Sequence, residues 1–406
     1  MEENNSIPVG WDNLELSKLT NFATGKKDVN QGSSIGEYPF FTCSKKVFSS
    51  EYYSFDKEAL LIAGNGDVGT VHYYKGKFEA YQRTYILSNF SVDVQYLYHY
   101  LKSNLIKHLS EGQSGTTIQF IKISQLKNFK ILTPVTLKEQ SKIAEILSKV
   151  DNAISETEII IAKYNHIKTG LMQDLLTKGI DEKGNIRSEE THKFKDSPLG
   201  RIPKEWKVDV LKNLCNSDIT YGIVQAGPNI ENGIPYIRTG DMSGDCLSID
   251  NLLKTTQKIA ERFERSKVLK GEIVFALRAT IGKVLLVPVE LNGANLTQGT
   301  ARISANENKV KNEFILYCLR MQYFKTQILE NQKGTTFFEI SLGHLRNFKV
   351  FYPKSIDEQN KIIEGLNDIE ESKIKFKEEL SKLKSIKTGL MQDLLSGKKR
   401  VTHLIN

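Results

Sequence analysis

Gly64, Gly66 and Gly69 have the G-x-G-x-x-G spacing, which cradles a dinucleotide pyrophosphate when a helix begins directly behind it. Here Thr70-Val71-His72-Tyr73-Tyr74 follows, a β-branched and aromatic run that favours a strand. The glycines therefore read as a tight turn between two strands. The corresponding stretch Arg278-Ala279-Thr280-Ile281-Gly282 keeps only the last of them. Gly76-Lys77, Gly282-Lys283 and Gly397-Lys398 lack the earlier glycine and the following hydroxyl residue of a phosphate-binding loop. No zinc-protease, nucleophile-elbow or calcium-loop pattern occurs. The seven histidines form no pair or triad with acids. Cys43, Cys215, Cys246 and Cys318 are scattered with no C-x-x-C pair, the usage of ordinary thiols in a reducing cytoplasm. The sequence carries no catalytic constellation, and no metal or cofactor is expected in this chain.

A different chemistry is carried by the loops between apolar runs. The first half places Lys26 and Lys27, Lys45 and Lys46, Asn65 and Asp67, Gln82 and Arg83, and Thr116 and Thr117 in such loops. The second half places Arg238 and Thr239, Arg278 and Thr280, Gln298 and Thr300, and Lys333, Thr335 and Thr336 there. Arg, Lys, Gln and Asn can bond base edges in the major groove, while hydroxyls and cations more often hold phosphates. These residues are the candidates for contact with double-stranded DNA.

The elements that would position them follow from an internal repeat. The decapeptide IKTGLMQDLL occurs at Ile167–Leu176 and again at Ile386–Leu395, an offset of 219 residues. At the same offset, the 33 residues from Gly115 align without a gap with those from Gly334, and fifteen are identical. The front of each half matches at shifting offsets: Trp11 with Trp206, Gly69 with Gly282, Gln82 with Gln298. The chain is a tandem duplication whose front parts have diverged and whose back parts are held to one length.

In the back parts Ile143, Leu147, Val150, Ile154, Ile161, Tyr164, Leu171 and Leu175 recur at helical, heptad-like spacing. Leu366, Ile369, Phe376, Leu380, Leu383, Leu390 and Leu394 repeat the pattern, and Thr157, Lys168, Lys373 and Lys387 interrupt it. Pro134 and Pro353 precede the two runs, and Gly179 and Gly397 follow them, as helix boundaries require. Two helices of about 40 residues, roughly 60 Å each at ~1.5 Å per residue, are expected to pack as an antiparallel coiled coil. The front parts carry strand-like runs such as Ala59–Ala63, Thr84–Leu87 and Glu272–Ala276, with helices expected near 94–111 and 312–331. The fold class is α+β. Two similar mixed α/β heads are separated by two long helices with an internal pseudo-twofold. The expected divisions are 1–135, a first head; 136–180, a helical spacer; 181–201, a charged linker; 202–354, a second head; 355–397, a second spacer; and 398–406, a tail.

The composition is compatible with this reading. The 406 residues are 39% hydrophobic and 26% charged, with 56 Lys and Arg against 48 Asp and Glu, a net +8. No apolar run approaches the ~20 residues of a membrane span, so no membrane partner is expected, and a cytoplasmic location is.

Taken in order, these motifs resemble the specificity subunit of type I restriction-modification systems. The resemblance rests on IPVGW and IPKEW, KEALLIAGNGDVGTV and KGEIVFALRATIGKV, AYQRTYILS and NLTQGTARIS, and the twice-used KTGLMQDLL, and it covers essentially the whole chain. It implies that each head is a target recognition domain reading one half of a bipartite, asymmetric DNA target. It also implies that the helices set the spacer and dock two modification (methyltransferase) subunits, with restriction subunits joining them in defence against phage. Chemistry would reside in those partners, with S-adenosylmethionine, ATP and Mg, and this chain would not be an enzyme. Leu171, Met172 and Leu175, with Leu390, Met391 and Leu394, are the docking candidates, core packing being the alternative. Readings outside this family are a standalone sequence-specific DNA-binding or anti-restriction protein, and a coiled-coil scaffold for proteins.

Overall fold

The computed structural model describes residues 7–405 apart from 29, 31, 34, 111–119, 199 and 332–338. Its contacts divide the chain into two compact units. The first is Met1–Ile160 with Phe376–Asn406, and the second is Ile161–Lys375. The long helices run over Leu137–Leu175 and Ile356–Leu395, so each unit takes one head and about half of each helix.

In the first unit a six-stranded sheet runs in the order Asn21–Thr24, Thr84–Ser88, Phe55–Ala63, Val71–Ala80, Tyr38–Phe41, Phe48–Ser50. Its pairs are antiparallel except Tyr38–Phe41 with Val71–Ala80. The expected Gly64–Gly69 turn joins the two long antiparallel strands. The helix Val94–Ser110 buries Tyr96, Leu97, Leu101, Leu105 and Leu109, one stripe at three- and four-residue spacing. Its leucines close a core with Leu60, Ile62, Leu87 and Ile131, while Tyr96 packs with Trp11 and Ile143.

The second unit repeats the plan with the sheet split in two. Thr220–Tyr221, Thr300–Ile303, Ile273–Ala276 and Val284–Leu286 form four strands, and Lys254–Thr255, Ile234–Ile237 and Asn295–Leu296 form three. The helix expected near 312–331 is two helices, Asn312–Arg320 and Gln322–Asn331, because Met321 is extended (φ −68°, ψ 151°). The segment read as a linker contains a hairpin, Phe194–Ser197 with Gly200–Pro203.

The long helices pair antiparallel in each unit. In the first, Lys387 meets Asp151 and Lys384 meets Glu158 at 2.8 Å, while Leu394 packs with Ile143 and Leu147. In the second, Lys168 meets Glu370 at 2.5 Å, and Leu175 packs with Ile362 and Leu366. The polar interruptions thus have partners inside the seam. Lys373 also reaches Glu370, at 2.7 Å, and Thr157 donates to the Ala153 carbonyl.

The repeated Glu-Gln pair at the start of each helix explains its own identity. Gln140 donates to Pro134 O (2.7 Å) and accepts from Asp93 N (2.7 Å). Gln359 likewise donates to Pro353 O (2.9 Å) and accepts from Lys311 N (2.8 Å). Both amides fasten a head helix to the rod. Glu139, 1% exposed, accepts two bonds of 2.6 Å from Arg400, whose other nitrogen donates to Val9 O. Glu358 accepts from Arg187 at 2.5 and 3.1 Å and from Trp206 Nε1 at 3.1 Å. Gly179 and Gly397 end the long helices at φ +65° and +72°. A Cβ on Gly179 would strike Glu358 and Trp206, and one on Gly397 would strike Pro8.

Removing one partner of a buried ion pair leaves the other charge unpaired, a loss of about 3 kcal/mol or more. Glu358→Ala leaves the buried Arg187 with the half-exposed Glu205, 3.1 Å from its Nε, so a loss approaching that order is expected in the urea stability of the second unit. Glu139→Ala should cost less, since a third of the Arg400 side chain is exposed; equal losses would contradict the burial argument.

Proton linkage provides a separate check on the first unit. Burial outweighs the field of Asp151 and pushes the buried His99, 3.0 Å from Ser148 Oγ, down to about 4. The unfolded imidazole protonates near 6.5. The unfolded chain thus binds more protons between those values, and stability falls as pH drops from about 6.5 toward 4, by up to about 1.4 kcal/mol per pH unit. Denaturation midpoints across that window should show a steeper fall for the native chain than for His99→Gln.

Candidate nucleic-acid interface

Backbone pairing brings the loop candidates of the first head to one sheet edge. Gly64 N donates to Arg83 O (3.1 Å), and Ile121 N donates to Gly64 O (2.8 Å). Asp67 N donates to Cys43 O (2.9 Å), and the Asp67 carboxylate accepts from Lys45 N at 2.8 Å. Gln82 N donates to Lys27 O (3.0 Å). Lys27, Lys45, Asn65, Asp67, Gln82 and Arg83, scattered in sequence, therefore share one edge. Lys26, Lys46, Gln82 and Arg83 are exposed, and Lys46 lies over the Phe48 ring at 5.4 Å.

The second head makes the same joints. Gln298 N donates to Ile223 O (3.0 Å), Thr297 N to Ile237 O (3.2 Å), Leu277 N to Gly299 O (2.8 Å) and Ile340 N to Leu277 O (3.1 Å). These bonds gather Arg238, Thr239, Arg278, Thr280 and Gln298. Gly66 and Gly69 adopt φ +64° and +76° in the first turn, and Ala279 and Gly282 adopt +56° and +81° in the second. Ala279 holds a left-handed backbone at a cost of about 1 kcal/mol, a local strain where the turn is exposed.

The electrostatics of the two edges differ. Arg83 makes no ion pair among the described residues. Arg238 donates through Nε (3.1 Å) and Nη2 (2.9 Å) to Asp241, which raises its pKa. Arg278 Nε donates to Glu339 at 2.8 Å with both side chains half exposed. A carboxylate-held guanidinium keeps its remaining donors in fixed directions, suited to base edges rather than to loose phosphate contact.

Some candidates do not reach the edge. Thr300 is 0% exposed, its hydroxyl within reach of the carbonyls of Ile237 (3.3 Å) and Thr297 (3.1 Å). Because it begins a central strand, its polarity is consumed in fastening the turn. Thr116, Thr117, Lys333, Thr335 and Thr336 lie outside the described residues. Among the docking candidates Leu175 and Leu394 are buried in their own units, and Leu171, Met172, Leu390 and Met391 pack against those cores. The exposed residues of the decapeptide are instead Ile167, Thr169, Gly170 and Gln173, and in the second copy Ile386, Thr388, Gly389 and Gln392. Sequence reasoning also passed over Phe120 and Glu339, exposed and bridged to Asn65 and Arg278 in the same turns. Phe120 and Glu339 share the 219-residue offset, a signal that could have marked them.

Among the described residues no group of three or more His, Cys, Asp or Glu is placed to hold a metal ion. No described helix is long and apolar enough to cross a membrane. The family described as "Type I restriction modification DNA specificity domain" matches residues 8–163 and 203–386. A relative in Escherichia coli, the type I restriction enzyme EcoDI specificity subunit, is 32% identical over 49% of this chain and 48% of its own length. The MjaVIII specificity subunit of Methanocaldococcus jannaschii is 28% identical over 98% of this chain and 95% of its own. The solved S subunit of a type I restriction-modification system from M. genitalium has the same fold. Its TM-score is 0.65, with 21% identity, over 97% of this chain and 98% of that one.

The edge geometry separates two kinds of loop residue by mutation. Arg83→Ala is expected to weaken DNA binding by about 1–3 kcal/mol in a titration at fixed salt. Thr300→Val should lower the melting transition while leaving the preferred DNA sequence unchanged, and a shifted preference would return Thr300 to the interface.

Proposed function

The chain belongs to the type I restriction-modification DNA specificity family, and on that basis we propose that it reads the DNA target of a type I complex. Each head presents its edge loops to one half of a bipartite target, and the long helices set the spacing between the halves. The observation that carries this reading is the pairing of like joints with unlike side chains. Gln82 and Gln298 are fastened by equivalent backbone bonds, while Asn65-Gly66-Asp67 faces one edge and Arg278-Ala279-Thr280 the other. Such a pair of heads suits two different half-sites, giving an asymmetric target.

The partners follow from the exposed part of the decapeptide. Core packing explains why its leucines are kept, but it places no demand on exposed Ile167, Thr169, Gly170 and Gln173. Their identity with Ile386, Thr388, Gly389 and Gln392 supports two copies of one partner, the modification subunits, on these faces. Methyl transfer, ATP hydrolysis and cleavage then belong to partner subunits, and this chain supplies recognition and placement.

The test is reconstitution with the modification subunits followed by mapping of methylated adenines. A single two-part motif is the expected result, and a complex that methylates without sequence preference would refute the reading. Four residues inserted into both long helices add about 6 Å, near two base pairs at about 3.4 Å each. The spacer of the mapped motif should lengthen accordingly, and an unchanged spacer would remove the helices from the role of ruler.

A further inference from the structure

Within the second unit a cavity of about 690 Å³ lies behind the Arg278–Gly282 turn, walled by that turn, the two head helices and the long helices. It sits where the chain changes direction at Met321, a break that the continuous helix Val94–Ser110 of the first head does not have. Among the described residues, Lys168, Lys283, Arg320, Lys325 and Lys373 line it against Asp245 and Glu370. Glu370 is already shared between Lys168 and Lys373, at 2.5 and 2.7 Å. The Arg320 guanidinium lies 6.0 Å over the Tyr317 ring and donates to Val284 O at 3.3 Å. It makes no ion pair among the described residues, so most of its donors remain unused. Burial lowers the pKa of both Arg320 and Lys168, desolvation outweighing the opposing field of Glu370 at each. Ile281, Ile328 and Leu329 add an apolar wall.

The first unit repeats one part of this lining, Lys387 with Asp151 at the places of Lys168 and Glu370, but not the rest. The Gln140–Asp93 and Gln359–Lys311 bonds, like His99–Ser148 and Tyr317–Asn367, align the two helices. They set Lys102 opposite Arg320, and Lys102 is exposed and bonded to Tyr98. Ile154 stands opposite Lys373, and Thr70 opposite Lys283. A contact made by a partner used identically twice would have to occur in both copies, and this one does not.

We infer that the cavity is a binding site for a small organic anion, an acid group on an apolar body. Arg320 and Lys325 take the acid group, and Ile281, Ile328 and Leu329 take the body. Charge, volume and a half-apolar lining fit such a ligand, and the inference stands apart from the reading of DNA.

Fluorescence titration of the full chain with 1-anilinonaphthalene-8-sulfonate tests it, with inorganic sulfate and uncharged 1-anilinonaphthalene as comparisons. One saturable site is expected, weakened about tenfold by Arg320→Met or by Lys325→Ala, the scale of one charge-assisted bond. Lys102→Ala in the first head should change nothing. Lys325 is exposed, so its variant keeps the test valid if Arg320→Met melts early. Unaltered binding in Lys325→Ala together with a folded Arg320→Met would overturn the proposal. Equal affinity for the uncharged compound would do the same, and so would displacement by sulfate at equal concentration.

Discussion

Each unit is closed by one carboxylate in the first turn of a long helix. Glu139 and Glu358 are 219 residues apart, and each grips an arginine from the segment that follows the end of the other long helix. The Trp at the front of the same unit packs beside it, Trp11 in one and Trp206 in the other. A head, the start of one helix and the end of the other therefore meet at a single desolvated charge pair. Removal of either arginine strands a carboxylate that is 1% or 10% exposed, so the pair specifies how the helices end against the heads.

That constraint separates what must stay constant from what can vary. Glu139, Gln140 and Gln359 have buried hydrogen-bonding tasks, and the Glu358 side chain is 10% exposed, which accounts for the identity of these positions in the back parts. The edge loops are fastened by backbone atoms: Gly64 N to Arg83 O, and Leu277 N to Gly299 O. Such bonds are indifferent to the side chains they carry. Asn65 can thus be exchanged for Arg278 on the same frame, and a recognition surface can change without disturbing the core.

Much of this was legible in the chain itself. Heptad spacing marked both long helices, including the polar interruptions: the three lysines have carboxylate partners, and Thr157 bonds a carbonyl of its own helix. The strand-like residues after Gly69 gave the turn its correct form. The arginines were not legible. Arg187 and Arg400 sit in charged segments outside the gapless repeat, and burial of an arginine leaves no local pattern. Thr300 was misplaced for a related reason: a hydroxyl at the start of a strand looks the same from sequence whether it faces solvent or fastens a neighbouring carbonyl. The break at Met321 likewise has no proline or glycine to announce it.

The division of the chain also bears on how it comes off the ribosome. The second unit is one continuous stretch, Ile161–Lys375, whereas the first needs Phe376–Asn406 to supply Leu394, Leu395 and Arg400 to its core and its charge pair. Domains generally fold as units during synthesis, yet here the head made first is the one completed last. Until Leu394, Leu395 and Arg400 emerge, Glu139 lacks this counter-charge and Ile143 and Leu147 lack their facing leucines. The first head is thus completed only by residues that are made after the whole of the second.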